Sequence, residues 1–241
     1  MDTKQLQGKT VAITGASRGI GKETAIQLRK LGAKLIIGSR NEKELHDLAH
    51  QIDTEGGSVL PVPLDVTDES SVQKFVSVSL EHFGSVDALI NCAGVGMFSS
   101  VLDSSTEDFD QMINVNLRGT YLTCKYFGKH MVEQRKGHMI NLVSIAGTTI
   151  LPGCGGYSAS KFGILGLTRV LQAELRSKGV QVTAVLPGAV NSSFWDSIDP
   201  KPDVLAMIPT SVLAQHLVYI LCQPKGAVID EVTIMPPLGI L

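Results

Sequence analysis

Short apolar runs that alternate with longer stretches of helical period constrain this chain more than any other feature. The runs fall at 11–13, 35–37, 59–62, 88–90, 139–143, 182–186 and 228–232. Runs this short, apolar along their whole length, read as strands buried on both faces, and the intervening helices supply the cover. The clearest helical segments are 20–31, with Ile20, Ala25, Leu28 and Leu31 on one face, and 70–83. Right-handed crossovers between such strands predict an α/β fold, a single doubly wound parallel sheet of Rossmann type with helices on both faces. The 241 residues, 44% hydrophobic and 18% charged, suit one such domain over 1–241. Within it, 191–210 carries Pro200, Pro202 and Pro209. This stretch reads as a substrate loop, because it follows the carboxyl end of a strand, where open α/β sheets bind ligands.

Several partner classes are excluded by composition. A net charge of -2 without a basic stripe argues against nucleic acid. No apolar run approaches a membrane span, and the first residues lack the apolar core of a signal peptide, so a cytoplasmic protein is expected. Cys92, Cys124, Cys154 and Cys222 are scattered, with no C-x-x-C pair, so neither a disulfide framework nor a metal site is expected.

The first strand runs into Thr14-Gly15-Ala16-Ser17-Arg18-Gly19-Ile20-Gly21. Glycines here let a phosphate approach the backbone, and the helix that follows presents free N–H groups to a pyrophosphate. The second strand ends Gly38-Ser39-Arg40-Asn41. A carboxylate at this place would bind a ribose 2′-hydroxyl. Arg40 stands there instead, and Arg18 lies in the glycine turn, so two guanidiniums can hold a 2′-phosphate, which points to NADP(H) as cofactor.

With Thr14 ahead of it, the G-x-x-x-G-x-G turn resembles the fingerprint of the short-chain dehydrogenase/reductase family, in its NADP-preferring short form. The resemblance extends from residue 8 to about 193. It assigns Asp65 and Val66, after the third strand, to the adenine. It matches Asn91-Cys92-Ala93-Gly94 to the family's N-N-A-G, with Cys92 departing from the pattern, and Asn114-Val115-Asn116-Leu117 to its N-V-N-L. Pro187-Gly188-Ala189-Val190-Asn191-Ser192 resembles P-G-x-x-x-T, whose backbone meets the nicotinamide. The implied cofactor contacts are Gly15, Ser17, Arg18, Gly19, Ile20, Gly21, Ser39, Arg40, Asp65, Val66, Asn91, Ala93, Gly94, Tyr157, Lys161, Pro187, Gly188, Val190 and Ser192.

Ser144 follows the fifth strand, Tyr157 comes thirteen residues later, and Lys161 four after that. On a helix running from about 156 to 176, Y-x-x-x-K places both side chains on one face. The resemblance implies a catalytic set of Asn116, Ser144, Tyr157 and Lys161. Carbonyl reduction needs a hydride for carbon and a proton for oxygen. Tyr157 is expected to supply the proton, Ser144 to hydrogen-bond the carbonyl, and Lys161 to lower a phenol pKa that is ordinarily about 10. Asn116 is expected to serve a proton-relay water, and Lys161 to hold the nicotinamide ribose.

The implied activity is NADPH-dependent interconversion of a carbonyl compound and its alcohol. A dinucleotide sensor without chemistry and a 3-ketoacyl-thioester reductase stand as alternatives. A sugar-nucleotide epimerase shares Y-x-x-x-K but needs more than the 48 residues that follow Ser193. Val95, Met97, Phe98, Ile145, Ile150, Leu151, Phe194 and Trp195 are expected to line a mainly apolar substrate pocket, with Phe194 and Trp195 closing over it. The ending, Pro236 to Leu241, lacks the aspartate-glycine-glycine found after the last strand in many relatives. A homotetramer or homodimer is expected, since Leu117, Tyr121, Leu122 and Tyr126 on one helix, and Phe162, Ile164, Leu165, Leu167, Val170 and Leu171 on the next, exceed what one sheet face covers. The apolar tail would then lie near a second interface.

Overall fold

A computed structural model describes residues 3–196, 198, 203–224 and 226–240. The strands are β1 (Thr10–Thr14), β2 (Lys34–Ser39), β3 (Val59–Pro63), β4 (Ala88–Asn91), β5 (Gly137–Leu142), β6 (Val180–Pro187), β7 (Val190–Asn191), β8 (Ile208–Pro209) and β9 (Glu231–Ile234). The helices are α1 (Gly19–Lys30), α2 (Glu42–Ile52), α3 (Glu69–Phe83), α4 (Thr106–Met112), α5 (Gly119–Glu133), α6 (Gly155–Leu175) and α7 (Thr210–Leu221). Seven strands form one parallel sheet in the order β3-β2-β1-β4-β5-β6-β9, and β7 pairs separately with β8. Strand order reverses between β1 and β4, which opens a crevice at their carboxyl ends.

Alternation along the strands explains the layers. Val11, Ile13, Leu35 and Ile37 face α1 and α7, packing with Leu28, Leu213 and Leu217. Ala12, Ile36, Leu89 and Met139 face the other way, onto Phe75, Leu122 and Phe127. Both sets are buried, so the strands read as continuous apolar runs.

Helix ends show where polar groups were reserved. Asn41 caps α2 by accepting from the Glu44 N–H (3.2 Å), and Asp68 caps α3 by accepting from Ser70 (2.9 Å). Arg18 precedes α1 without any side-chain cap, which leaves that helix start to an external acceptor. Between α4 and α5 the chain widens into a π-helical segment, Ile113–Arg118, the kind of irregularity that accumulates at functional sites.

The last strand differs from expectation. It begins at Glu231 rather than at residue 228. The Ile229 carbonyl accepts from the Thr183 hydroxyl (2.6 Å), while the Asp230 carbonyl accepts both the Ala184 N–H (2.9 Å) and the Gln172 amide (2.8 Å), so the ladder to β6 starts only at Asp230. At the two ends of the stretch 191–210, β7 and β8 pair side by side and close its base, while residues 197 and 199–202, including Pro200 and Pro202, lie outside the described residues.

Candidate active site

Two adjoining clefts open at the carboxyl ends of the strands, of about 460 and 360 Å3. Ile20, Cys92, Gly94, Ser192 and Phe194 line both and mark their junction.

The smaller cleft forms around the glycine turn. Gly15 has φ +65°, and a Cβ there would stand 2.8 Å from the Ala93 backbone. The Ala93 N–H donates to the Thr14 hydroxyl (3.2 Å), so β1 and the β4 loop are drawn together under this turn. Gly21 lies so close to the Gly15 carbonyl that no side chain fits. The turn and the uncapped start of α1 are thus packed together along the smaller cleft, an arrangement that suits a pyrophosphate. Ser17, Arg18, Gly19, Ile20, Ser39, Arg40, Asp65, Val66, Ala93 and Gly94 line it as expected. Arg18 and Arg40 are exposed on its rim. The Asp65 carboxylate accepts from the Thr67 N–H (2.9 Å) and hydroxyl (2.7 Å), which shapes the turn after β3.

The larger cleft brings together Ser144, Tyr157 and Lys161 with Pro187, Gly188, Val190 and Ser192. Ser144 caps a short 3-10 turn, its hydroxyl accepting from Ala146 (3.1 Å), and its side chain shares the cleft wall with Tyr157 and acts to lower that phenol's pKa. Lys161 donates from Nζ to the Leu142 carbonyl (2.8 Å), with Nζ 5.5 Å from the Tyr157 ring centroid. Burial pushes the Tyr157 phenol up to about 12, against the pull of Ser144. Burial likewise pushes Lys161 down to about 8. In this arrangement Lys161 Nζ is bonded to the Leu142 carbonyl, and burial rather than Lys161 sets the direction of the Tyr157 shift.

Two expected site residues stand behind the clefts rather than in them. The Asn91 side chain is buried, donating to Asn141 (2.9 Å) and accepting from Thr123 (2.7 Å). Asn116 is likewise buried. It accepts from the Val95 N–H (2.8 Å) and donates to the Val95 carbonyl (2.8 Å) and the Ser160 hydroxyl (3.0 Å). Both amides thus spend their side-chain groups on bracing: Asn91 ties β4 to β5 and α5, and Asn116 ties the β4 loop to α6. Neither Val95, Met97 nor Ile150 lines the larger cleft, and Ile150 is 89% exposed.

Other lining residues escaped the sequence reading. Glu44 lines the smaller cleft. Its place three residues after the capping Asn41 was the available signal, since that spacing turns a side chain back towards the helix start. Cys154, Pro152 and Ile240 line the larger one. The contact of Ile240 depends on how the tail folds, which local pattern does not report. Among the described residues no helix is long and apolar enough to cross a membrane.

This arrangement of fold and clefts agrees with comparisons to known proteins. The family model for short chain dehydrogenases matches residues 9–203. An uncharacterized oxidoreductase of Staphylococcus aureus is 35% identical over 231 residues, 96% of this chain and 98% of its own. Among solved structures, an alcohol dehydrogenase from the archaeon Thermococcus sibiricus, complexed with 5-hydroxy-NADP, superposes with a TM-score of 0.88 at 33% identity, covering 96% of this chain and 97% of that one. A 3-ketoacyl-(acyl-carrier-protein) reductase from Brucella melitensis, complexed with NADH, gives 0.84 at 28% identity, over 96% of this chain and 98% of that one. The chain belongs to the short-chain dehydrogenase/reductase family and is an oxidoreductase of that family.

Proposed function

We propose that this protein is an NADP(H)-dependent carbonyl reductase, working through Tyr157 as proton donor. The observation that carries the reading is the convergence of Ser144, Tyr157 and Lys161 on one cleft that adjoins the glycine turn. The absence of side chains at Gly15 and Gly21 lets the turn pack against the Ala93 backbone and the helix start pack against the turn, which supports a pyrophosphate-binding shape. Arg18 and Arg40 on its rim supply positive charge for a 2′-phosphate. The bound cofactor supplies the hydride.

The chain's own residues do the rest. Ser144 and Tyr157 present two hydroxyls to a carbonyl oxygen in a site with few other polar groups, where such donors act strongly on developing negative charge. A phenol held up at about 12 stays protonated throughout the physiological range, which suits donation in the reductive direction. Lys161, next to Tyr157 and tied to the end of β5, is placed to hold ribose hydroxyls and to offer positive charge as the phenol gives up its proton. Asn116 acts through position: it fixes the loop after β4 and the start of α6 in one register. Among the described residues, Lys161 is the one charged side chain that lines the larger cleft, which favours a neutral ketone or aldehyde over a carboxylate or phosphate.

The test is loss of NADPH absorbance with a panel of ketones, aldehydes and ketoacyl thioesters. Turnover by the wild type and loss of about 100-fold or more in Tyr157→Phe, with NADPH binding retained, is the expected result. Absence of turnover with every carbonyl, and with every alcohol plus NADP in the reverse direction, would overturn the reading.

A further inference from the structure

Two aromatic rings flank Tyr157, a third packs against both, and the proposed reaction uses none of them. Phe98 stands edge-on to the Tyr157 ring at 5.6 Å between centroids and 71°, and Phe194 lies 5.8 Å from it at 55°. Phe98 is also parallel to Trp195 at 5.9 Å, with only 16° between the planes, while Phe194 meets Trp195 at 5.3 Å. The cluster is anchored. Trp195 donates from Nε1 to the Val190 carbonyl (2.8 Å), and the absence of a side chain at Gly96 makes room for the Phe194 ring. All four rings border the larger cleft, and aliphatic side chains that include Val143, Ile145, Leu151, Pro152 and Ile240 supply most of its other apolar wall.

This distribution is uneven in a way that bears on the substrate. A carbonyl oxygen that bonds to the Tyr157 hydroxyl brings its nearest substituent up against the rings that flank that phenol. Offset and edge-to-face contacts between rings add to plain apolar burial, and the geometry among these four side chains already shows both kinds. Aliphatic groups gain burial alone.

We propose that Phe98, Phe194 and Trp195 form a selectivity wall, and that the preferred substrates carry an aryl or other planar unsaturated group within one or two carbons of the carbonyl. The inference rests on the proposed function, because it takes Tyr157 as the docking point of the oxygen. Phe98 and Trp195 determine which carbonyl compounds are favoured, and the proton still comes from Tyr157.

A matched pair tests it: phenylacetone and cyclohexylacetone, which share a carbon count and an unconjugated ketone of similar intrinsic reactivity. The wild type should favour phenylacetone in kcat/KM by about 5-fold or more, within the range such ring contacts produce. Phe98→Leu and Trp195→Leu should each bring the ratio towards unity, because the loss in kcat/KM falls more heavily on phenylacetone than on cyclohexylacetone. As a readout independent of turnover, quenching of Trp195, the chain's only tryptophan, should give tighter binding for phenylacetone in the wild type and in Phe98→Leu should not. Equal or reversed preference in the wild type overturns the proposal, and this measurement stands even if the variants fail to fold. A ratio unmoved in both folded variants overturns it as well, since rings that only pack the loop would depress both ketones alike. Reduction of short aliphatic aldehydes with neither ring ketone accepted also overturns it, while leaving the carbonyl-reductase reading intact. Failure with every carbonyl removes both.

Discussion

Lys161 donates its ammonium proton to the Leu142 carbonyl at 2.8 Å, which anchors α6 to the end of β5 by a buried charge. Burial lowers its pKa from 10.5 to about 8. Between those values the unfolded chain holds the proton more firmly than the folded one, so stability rises with pH across that window and the charge is a cost below it. At pH 7 the cost is up to about 3 kcal/mol, at about 1.4 kcal/mol for each pKa unit. Lys161→Met, which keeps the bulk and removes the charge, should raise the melting temperature at pH 7 and show a smaller gain at pH 10. It should also abolish turnover. A variant less stable than wild type at pH 7 would show that the single hydrogen bond to Leu142 outweighs the desolvation.

Cofactor preference should respond to two residues of opposite sign on one rim. Arg40 and Arg18 favour a 2′-phosphate, and Glu44, which lines the same cleft, opposes it. Arg40→Asp should weaken NADPH binding at least tenfold, because a charged hydrogen bond is worth about 1.5–3 kcal/mol, and should narrow the gap to NADH. Glu44→Gln should tighten NADPH by a smaller factor and leave NADH nearly unchanged. Fluorescence titration of both dinucleotides checks this. Equal affinity of the wild type for NADPH and NADH would remove the basis of the prediction.

Acid sensitivity should be set partly by two histidines far from the clefts. The Thr183 hydroxyl donates to the Ile229 carbonyl (2.6 Å), so towards His138 Nε2, at 2.8 Å, it acts as acceptor, and that nitrogen carries the proton of a neutral ring. Burial lowers the His138 pKa from 6.5 to about 4. His130, which accepts the Val86 N–H at 3.4 Å, is lowered too, again by burial. A lowered histidine pKa means that the unfolded chain takes up protons first as pH falls below 6.5. Stability should therefore decline from pH 6.5 to 4, by up to about 3 kcal/mol from His138. Asp53 and Asp87, whose pKa values are lowered from 3.8, should act only below that window. Denaturant melts of His138→Gln should show a shallower decline between pH 6.5 and 4 than the wild type, and an identical slope would refute the assignment.

How much of this was legible in the sequence depended on the range of the interaction concerned. The strands from Thr10 to Pro187, the glycine turn and the Ser144, Tyr157 and Lys161 spacing are local patterns, and they were readable because strand alternation, turn chemistry and helical period act over a few residues. Asn91 and Asn116 match a motif, yet their amides are committed to Asn141, Thr123, Val95 and Ser160, partners 21 to 50 residues away. A motif names the residue but not the group that consumes its hydrogen bonds. The phenol of Tyr157 makes the same point in energetic form. One lysine four residues on predicts a lowered pKa, whereas burial among side chains from distant segments raises it to about 12. The last strand starts later than the run 228–232 predicts, because Thr183, remote in sequence, holds the Ile229 carbonyl and the ladder to β6 begins with the Ala184 N–H on the Asp230 carbonyl.

Self-association should follow from the faces of α5 and α6 that the sheet leaves uncovered. Of the apolar residues expected there, Leu122, Ile164 and Leu165 are buried, whereas Tyr121, Phe162 and Val170 are 46%, 47% and 53% exposed. Phe109 on α4, at 42%, adds to the same kind of surface. The tail divides its loyalties: Ile240 lines the larger cleft of its own chain, and Leu238 remains 77% exposed. Closed homo-oligomers pair identical patches across a two-fold axis, and uncovered helix faces of this kind are suited to such pairing. Light scattering at micromolar concentration should therefore give a dimer or tetramer. Phe162→Lys, which places a charge in the middle of the α6 face, should shift the mass towards the monomer without changing the far-ultraviolet circular dichroism. Deletion of 236–241 should open the wall supplied by Ile240 and lower turnover, and if the tail also bridges protomers it should reduce a tetramer to dimers. A wild-type protein that runs as a stable monomer would leave Tyr121, Phe162 and Val170 as ordinary surface residues, and no interface would be assigned to them.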